Sequence, residues 1–206
     1  FPVAQTPIGN IGAAICYDWL FPEPLRQLTA NGAEILVRVS AYMDPFGSTE
    51  PMDWWTVVNR CRALENLAYV VAANQGASLK HYPPFSWPGG SMVVDYDGRL
   101  LGQASPGPGE RIVVAAINVE MLRYERKMRR AHQMMAHLRT ECYPMYRRSF
   151  LSGLPGAGQA EDRTVSQQEL RIDDAKRKMG YLGGEERAPT PNIQDLLDAS
   201  SDERSK

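Results

Sequence analysis

The hydrophobic pattern of the first 150 residues alternates between strand-like and helix-like segments. Apolar runs over residues 8–16, 35–39 and 69–74 predict three buried strands. Between them, residues 22–30 have helical spacing, and so does the segment after Asp53, which is placed to cap a helix. Strand, helix, strand, helix, strand is the order typical of an α/β fold with parallel strands.

The pattern continues with elements that predict a mixed sheet. Residues 91–102 read as a hairpin around the turn Asp97-Gly98, and residues 111–117 as one more strand. An amphipathic helix is predicted over residues 119–138 and carries several arginines. Hairpin strands are antiparallel, so the sheet is expected to combine both strand directions.

The composition changes near residue 150. All four Trp, all five Phe and eight of the nine Tyr lie in residues 1–150, and residues 151–206 hold one aromatic residue, Tyr181. The latter stretch is polar and buries too little apolar surface to offset its ordering entropy. We therefore expect a domain over 1–150 and a polar tail over 151–206, with one short helix around 164–179. The alternative for this tail is an arm that orders against a partner subunit.

Charge and cysteine content restrict the class of protein. Lys and Arg number 23 against 24 Asp and Glu, so nothing in the net charge of −1 favours nucleic acid or an anionic membrane surface. No apolar run reaches the roughly 18 residues of a membrane-spanning helix. Three cysteines without metal-ligand spacing suggest free thiols in a reducing compartment, hence a cytoplasmic protein without a metal or other cofactor. The expected partner is a small molecule or another protein.

Cys16 is the strongest candidate for chemistry. It ends an apolar strand and precedes a predicted helix, where the helix dipole favours a thiolate and the following backbone N–H groups can hold an oxyanion. These are the two requirements of acyl transfer. Burial as a small core residue is the alternative.

Four ordered motifs resemble the nitrilase superfamily of carbon–nitrogen hydrolases. The segment Cys16-Tyr-Asp-Trp-Leu-Phe-Pro-Glu-Pro-Leu-Arg26 resembles the superfamily's nucleophile segment. Further similarities are Gly32-Ala-Glu-Ile-Leu-Val, Arg62-Ala-Leu-Glu-Asn66 with the strand after it, and the hairpin Gly90-Ser-Met-Val-Val-Asp-Tyr-Asp-Gly98. The resemblance covers the C-terminal half of the superfamily domain, beginning just before the nucleophile.

The resemblance implies both a fold and a mechanism. The fold is an α-β-β-α sandwich with mixed sheets, of which this chain supplies the C-terminal part, and two subunits usually pack together. The mechanism uses a glutamate base, a lysine and a cysteine nucleophile that forms a thioester. Cys16 takes the nucleophile position, and the backbone N–H of Tyr17 takes an oxyanion-binding position.

The chain departs from this pattern before the nucleophile. The glutamate and lysine of the superfamily precede the cysteine, whereas none of residues 1–15 is Glu or Lys. The start at Phe1 resembles the interior of a longer sequence, and half a sandwich is expected to expose an apolar sheet face. Two other hypotheses remain open: a non-catalytic homologue that serves as an interaction module, and one half of a split enzyme.

Several other polar residues have structural interpretations. We expect Glu65 to form an ion pair with Arg62, three residues earlier on the same helix, and Asp18 to orient the turn after Cys16. His81 lies in a Pro-rich aromatic loop and is read as part of a pocket rim. The arginine-rich helix is read as a solvated or interface face.

The residues around Cys16 favour an amide substrate over a nitrile. Tyr17-Asp18 stands where nitrilases commonly have Trp-Glu. Tyr42, Met43 and either Trp54 or Trp55 are expected to form pocket walls, with Tyr42 and Trp54 as the substrate-binding candidates. We therefore predict a hydrolase of non-peptide amides, a homo-oligomer with a small-molecule substrate.

Overall fold

A computed structural model describes residues 1–43, 53–76, 87–105, 107, 109–143 and six residues between 169 and 177. The chain divides into two compact units, Phe1–Leu138 and Arg139–Lys206. The predicted loop residue His81 lies outside the described residues, as does most of the predicted tail.

Six strands of the first unit form one mixed sheet, ordered along the sheet as they are along the chain. They are β1 (Val3–Thr6), β2 (Gly9–Ile15), β3 (Ile35–Ser40), β4 (Tyr69–Asn74), β5 (Met92–Val94) and β6 (Leu100–Gln103). Strands β2, β3 and β4 are parallel, and the three others pair antiparallel to their neighbours. The mixed α/β architecture predicted from the sequence is confirmed.

Within the described residues of the first unit, three α-helices accompany the sheet: α1 (Pro22–Ala30), α2 (Trp54–Asn66) and α3 (Val119–Met128). The bounds of α1 and of β4 are those that the periodicity predicted. Helix α2 begins after Asp53, whose side chain accepts a hydrogen bond from the Thr56 N–H at 3.4 Å, so the predicted cap is confirmed.

Three predictions of local structure were incomplete or wrong. Strand β1 was missed, because its two exposed and two half-buried residues carry no strong apolar alternation. Residues 111–117 alternate in burial but form no strand, since no described segment offers them a ladder of hydrogen bonds. The last helix ends at Met128, ten residues earlier than predicted. Arg129 there is held by Asp97 of the hairpin and by Glu125.

The two faces of the sheet differ in how they are covered. Helices α1 and α2 pack on one face and bury a core that includes Leu25, Leu28, Trp55, Ala63, Leu36, Val70, Met92 and Val94. On the opposite face, Leu122 of α3 packs with Ile35 and Tyr69. Toward the ends of β2 and β3 this face is exposed, with Ile15 at 63% and Val39 at 48%. The expected exposure of an apolar sheet face is therefore observed.

Arginines of α3 hold the helix to the sheet. Arg123 donates two hydrogen bonds to the buried carboxylate of Glu34, at 2.6 and 3.0 Å. Arg126 donates to the carbonyl oxygens of Ala33 and Leu67, both at 2.8 Å. These two arginines bind groups of their own chain, so they are part of the fold and not a free basic surface.

We expect the first unit to lose stability on acidification through Glu34. The hydrogen bonds from Arg123 hold the pKa of this carboxyl below its ordinary value of 4.5. A lowered pKa stabilises the fold above the unfolded-state value, and this contribution is lost as the pH falls through the folded-state value. Glu34→Gln should therefore make the unfolding midpoint less dependent on pH below about 4.5, as measured by thermal melts across that range. The exposed Glu120→Gln is the control, and an unchanged pH dependence in Glu34→Gln would contradict the assignment.

The second unit is described only in part. It contains a 3-10 turn at Thr140–Cys142. The six described tail residues, between 169 and 177, are helical and fall within the predicted short helix. No helix of the described residues is long and apolar enough to span a membrane.

Candidate functional site

Cys16 lies at the end of β2, where the chain turns into a short 3-10 helix, Cys16–Leu20. Its backbone has a φ of 47°, in the left-handed region that residues with a side chain rarely adopt. Such a conformation costs about 1–3 kcal/mol and persists only where its surroundings enforce it. Cys16 is a free, half-buried thiol. A strained backbone at the junction between a strand and a helix is a known feature of catalytic positions.

Asp18 and Trp19 fix the turn from within. The Asp18 carboxylate accepts a hydrogen bond from the backbone N–H of Ile15 at 3.0 Å, which confirms its predicted structural role. The Trp19 side chain is fully buried, and its indole N–H donates to the carbonyl of Ala14 at 2.9 Å. Both side chains follow Cys16 and bind backbone groups that precede it, so they tie the turn to the last residues of β2.

Arg62 of α2 holds the other end of the turn. Its guanidinium donates to the carbonyl oxygens of Trp19 and Leu20, at 3.0 and 3.1 Å. It also pairs with Glu65 at 2.8 Å, and Glu65 in turn lies 3.5 Å from Arg26 of α1. The predicted Arg62–Glu65 ion pair is confirmed. A positive charge at the C-terminal end of the short helix also complements its dipole.

A second arginine lies under the turn, on the helix-covered face of β3. Arg38 is fully buried and donates to the side-chain oxygen of Asn59 at 2.8 Å and to the carbonyl oxygen of Cys16 at 3.3 Å. Three rings surround its guanidinium, with centroid distances of 4.4 Å to Trp55, 5.1 Å to Tyr42 and 5.4 Å to Trp19. We call Arg38, Asn59 and these three aromatic residues the Arg38 cluster.

The electrostatics of the Arg38 cluster link it to Cys16. Burial lowers the pKa of Arg38 to about 10, and the ionised forms of Tyr42 and Cys16 oppose this fall. Burial also raises the pKa of Tyr42, and the ionised Cys16 raises it further. The thiol of Cys16 and the ends of these two side chains therefore interact electrostatically at one site.

The structure brings some predicted pocket residues together and separates others. Tyr42 is buried, its ring lies 6.1 Å from that of Trp55, and its hydroxyl has no hydrogen-bond partner among the described residues. Trp54, in contrast, is 44% exposed at the start of α2. Trp55 instead points toward the sheet and donates its indole N–H to the carbonyl of Gly90 at 2.7 Å. Substrate contact by Tyr42 or Trp54 remains a prediction.

Arg38 was not among the site residues predicted from the sequence. A charged residue in the apolar run Ile35-Leu-Val-Arg-Val39 is an available signal, because it places a guanidinium on the same face of the strand as the buried Leu36. A buried cation needs compensating partners. Within the described part of the chain, no group of three or more His, Cys, Asp or Glu side chains is arranged to hold a metal ion.

Comparison with known proteins gives a consistent result. The model of the carbon-nitrogen hydrolase family matches residues 1–127. Deaminated glutathione amidase of Mus musculus is 39% identical over 142 residues, which cover 69% of this chain and 41% of the relative. The Homo sapiens protein of the same name is 41% identical over 139 residues, or 68% of this chain and 39% of the relative.

Solved structures share the fold. Saccharomyces cerevisiae Nit3, a member of branch 10 of the nitrilase superfamily, superposes with a TM-score of 0.53 at 28% identity, covering 63% of this chain and 45% of the other. The Caenorhabditis elegans NitFhit protein gives a TM-score of 0.56 at 34% identity, with 69% and 32% coverage. This chain spans about two fifths of the length of the curated relatives cited above.

Proposed function

Because the chain belongs to the carbon–nitrogen hydrolase family, we propose that it carries the nucleophile of an amide hydrolase that acts through a cysteine thioester. The observation that supports this most directly is the left-handed backbone of Cys16 at the strand-to-helix turn, held by hydrogen bonds on both sides. The resemblance to the nitrilase superfamily, stated from four motifs, is confirmed by the family match and by the shared fold.

In the proposed reaction the Cys16 thiolate attacks the carbonyl carbon of an amide. The negative charge that forms on the carbonyl oxygen is held by backbone N–H groups at the start of the 3-10 helix, with that of Tyr17 as our assignment. When the C–N bond breaks, the nitrogen takes a proton and leaves as ammonia or an amine, and the acyl group stays on the sulfur. Water then hydrolyses the thioester and restores the thiol.

Proton transfer in this scheme needs groups beyond those around Cys16. By resemblance, a glutamate takes the proton from the thiol and a lysine assists at the oxyanion, and neither residue type occurs in residues 1–15. Activity is therefore to be tested on the protein purified from its source, at the length at which it occurs there. If that protein has a mass well above 23.0 kDa and its additional sequence before Phe1 contains Glu and Lys, one chain holds both groups.

The position of Tyr42 favours a substrate whose acyl group makes apolar and aromatic contacts. Its ring lies beside that of Trp55, and its buried hydroxyl has no hydrogen-bond partner among the described residues, so we assign to it a hydrogen bond to a substrate oxygen. Trp54 is our candidate for the exposed rim of the pocket. Since two relatives are named deaminated glutathione amidase, that compound is the first substrate to test.

The test is hydrolysis of a small substrate panel by the natural protein. The panel contains deaminated glutathione, an aromatic primary amide and the matching nitrile, with release of ammonia or amine as the readout. We expect amide turnover to exceed nitrile turnover, and a mass increase equal to the acyl group on the peptide containing Cys16 after rapid quenching. Turnover of no member of the panel, together with no acylated Cys16, would overturn the proposal.

We also propose that the protein is a homo-oligomer that uses the outer face of α2. Val57, Cys61 and Leu64 are spaced three and four residues apart and are all exposed, with Val57 at 57% and Leu64 at 43%. Apolar residues at this spacing form the seam of packed helices. A groove of about 540 Å³ opens beside Cys61 and Leu64 and adds concave apolar surface.

Val57→Glu is expected to dissociate the oligomer. A carboxylate at the centre of an apolar contact loses its hydration without gaining a partner. Light scattering should show the mass falling to that of one chain, with unchanged secondary structure by circular dichroism. Met121→Glu, which places the same charge at a 46% exposed apolar position of α3, is the control and should leave the mass unchanged. A Val57→Glu protein of parental mass would exclude this face.

A further inference from the structure

Arg38 is a buried cation without a carboxylate partner among the described residues. Its side chain is fully buried, and within the described residues its hydrogen bonds go to neutral oxygens, those of Asn59 and of the Cys16 carbonyl. Its Nε has no hydrogen-bond partner in the part of the chain that the structure describes. Burying a guanidinium away from water is costly unless hydrogen bonds and opposite charge compensate for it. The cost indicates a role that an apolar residue at this place in β3 would not fulfil.

The partners of Arg38 place it at the nucleophile. In the sheet register, Arg38 lies opposite Ala14, two residues before Cys16. The guanidinium reaches beyond this register position to the carbonyl of Cys16, at 3.3 Å. This carbonyl belongs to the residue with the left-handed backbone, so its orientation is coupled to that of the thiol.

The rings of the Arg38 cluster keep the guanidinium in one orientation. Trp19, Tyr42 and Trp55 approach it from different elements: the 3-10 helix, the residues after β3, and α2. Asn59 fixes one end of the planar group by a hydrogen bond at 2.8 Å. A cation held in this way keeps its position when the charge on Cys16 changes, as preorganised electrostatic stabilisation requires.

The ionisable groups that interact with Arg38 select Cys16 as the compensating acid. They are the Tyr42 hydroxyl, the Cys16 thiol and the guanidinium of Arg62. Arg62 repels Arg38, and burial raises the pKa of Tyr42 above its ordinary value of 10. Tyr42 therefore remains neutral at physiological pH. The thiolate that the proposed reaction forms on Cys16 is the remaining anion that this set can supply.

We propose that Arg38 is a positioning residue for Cys16, which orients the nucleophile through its backbone carbonyl and supplies a fixed positive charge near its thiolate. This inference rests on the proposed function, because it assigns Arg38 a role in the same acyl transfer. Arg38 touches no reacting atom in this assignment. It differs from the lysine that the resemblance implies, because it comes after the nucleophile in the chain and is buried beneath it.

The test compares Arg38→Met, which keeps the volume without the charge, with Arg38→Lys, which keeps the charge. In the natural protein, the rate of alkylation of Cys16 by iodoacetamide is measured by mass spectrometry of its peptide, together with kcat and KM for the amide. Arg38→Met should lower the alkylation rate and kcat by about 10- to 100-fold, with KM changed less than threefold. Arg38→Lys should recover at least half of that loss on a logarithmic scale.

Arg126→Met is the matched control, because Arg126 also donates to two backbone carbonyls, but these belong to Ala33 and Leu67 and not to the turn of Cys16. It should lower the melting temperature and leave Cys16 alkylation within twofold of the parent. If Arg38→Met does not fold, Arg38→Gln takes its place as the neutral variant. Equal alkylation rates in the folded neutral variant, the lysine variant and the parent would overturn the positioning role.

The two proposals fail in different ways. If amide turnover requires Cys16 but is the same in folded Arg38→Met as in the parent, the role of Arg38 is overturned and the proposed function is not. If the parent shows no amide turnover, the proposed reaction is overturned. Slower Cys16 alkylation in Arg38→Met, with recovery in Arg38→Lys, would still support the link between Arg38 and the thiol. A neutral variant and a lysine variant that are equally slow would show that Arg38 only braces the rings.

Discussion

Cys16→Ser is expected to lower amide turnover by the natural protein by at least about 1000-fold while leaving its melting temperature within a few degrees of the parent. A serine hydroxyl is a much weaker nucleophile than a cysteine thiol near neutral pH, and the carboxylate of this turn, that of Asp18, already accepts a hydrogen bond from the Ile15 N–H. The substitution is nearly isosteric. The backbone carbonyl that accepts from Arg38 is retained.

Release of ammonia or amine from the best substrate of the panel is the measurement, with the acylated peptide as a second readout. Cys142→Ser is the matched control, since Cys142 is an exposed free thiol at the end of the 3-10 turn Thr140–Cys142. It should retain turnover within about twofold of the parent. Parental turnover in Cys16→Ser, with the fold intact, would show that another group forms the covalent intermediate or that none forms.

The elements nearest to Cys16 were predictable because burial imposes a simple period on them. Strands β3 and β4 are apolar along most of their length, since α1 and α2 cover one face and α3 covers part of the other. Helix α1 starts with Pro22, which has the φ that a first turn requires, and Asp53 caps α2. Such local signals are readable without knowledge of distant contacts.

The features that set the chemistry of the site depend on contacts between distant segments. The local contact of Asp18 does not by itself give Cys16 a φ of 47°, because Arg38 of β3 and Arg62 of α2 also hold that turn. The choice between Trp54 and Trp55 depends on the rotation of α2 about its axis, and a single residue changes which ring faces Arg38. The premature end of α3 has the same kind of cause, because the side chain of Asp97 in the hairpin binds Arg129. Tertiary contacts override periodicity at these places.

The second substitution with a large expected effect is at Trp19, which joins the turn after Cys16 to the hydrophobic core. Its side chain is fully buried, packs in the cluster between α1 and the sheet, and lies against the guanidinium of Arg38. Its indole N–H satisfies the carbonyl of Ala14, one of the last groups of β2 before the nucleophile. Trp19→Ala removes all of these contacts, leaves a cavity, and deprives that carbonyl of its donor.

We expect Trp19→Ala to lower the free energy of unfolding by about 3–5 kcal/mol, the usual range for removing a buried tryptophan. Trp19→Phe, which keeps a ring but not the N–H donor, should lower it by a smaller amount. Urea denaturation followed by circular dichroism measures all three proteins. Phe21→Ala, at a 48% exposed position two residues further along, is the control and should cost less than about 1.5 kcal/mol.

The alkylation rate of Cys16 then separates the effect of each substitution on overall stability from its effect on the turn that contains Cys16. In the absence of denaturant, Trp19→Phe should remain folded, and its smaller ring should still lie against Arg38, so that Cys16 reacts within about threefold of the parental rate. In Trp19→Ala the alkylation rate of Cys16 should differ from the parental rate by a larger factor, because the turn loses the side chain that ties it to β2. A Trp19→Ala protein as stable as the parent would mean that Asp18, Arg38 and Arg62 hold the 3-10 helix without the tryptophan, and that Trp19 is not part of what enforces the conformation of Cys16.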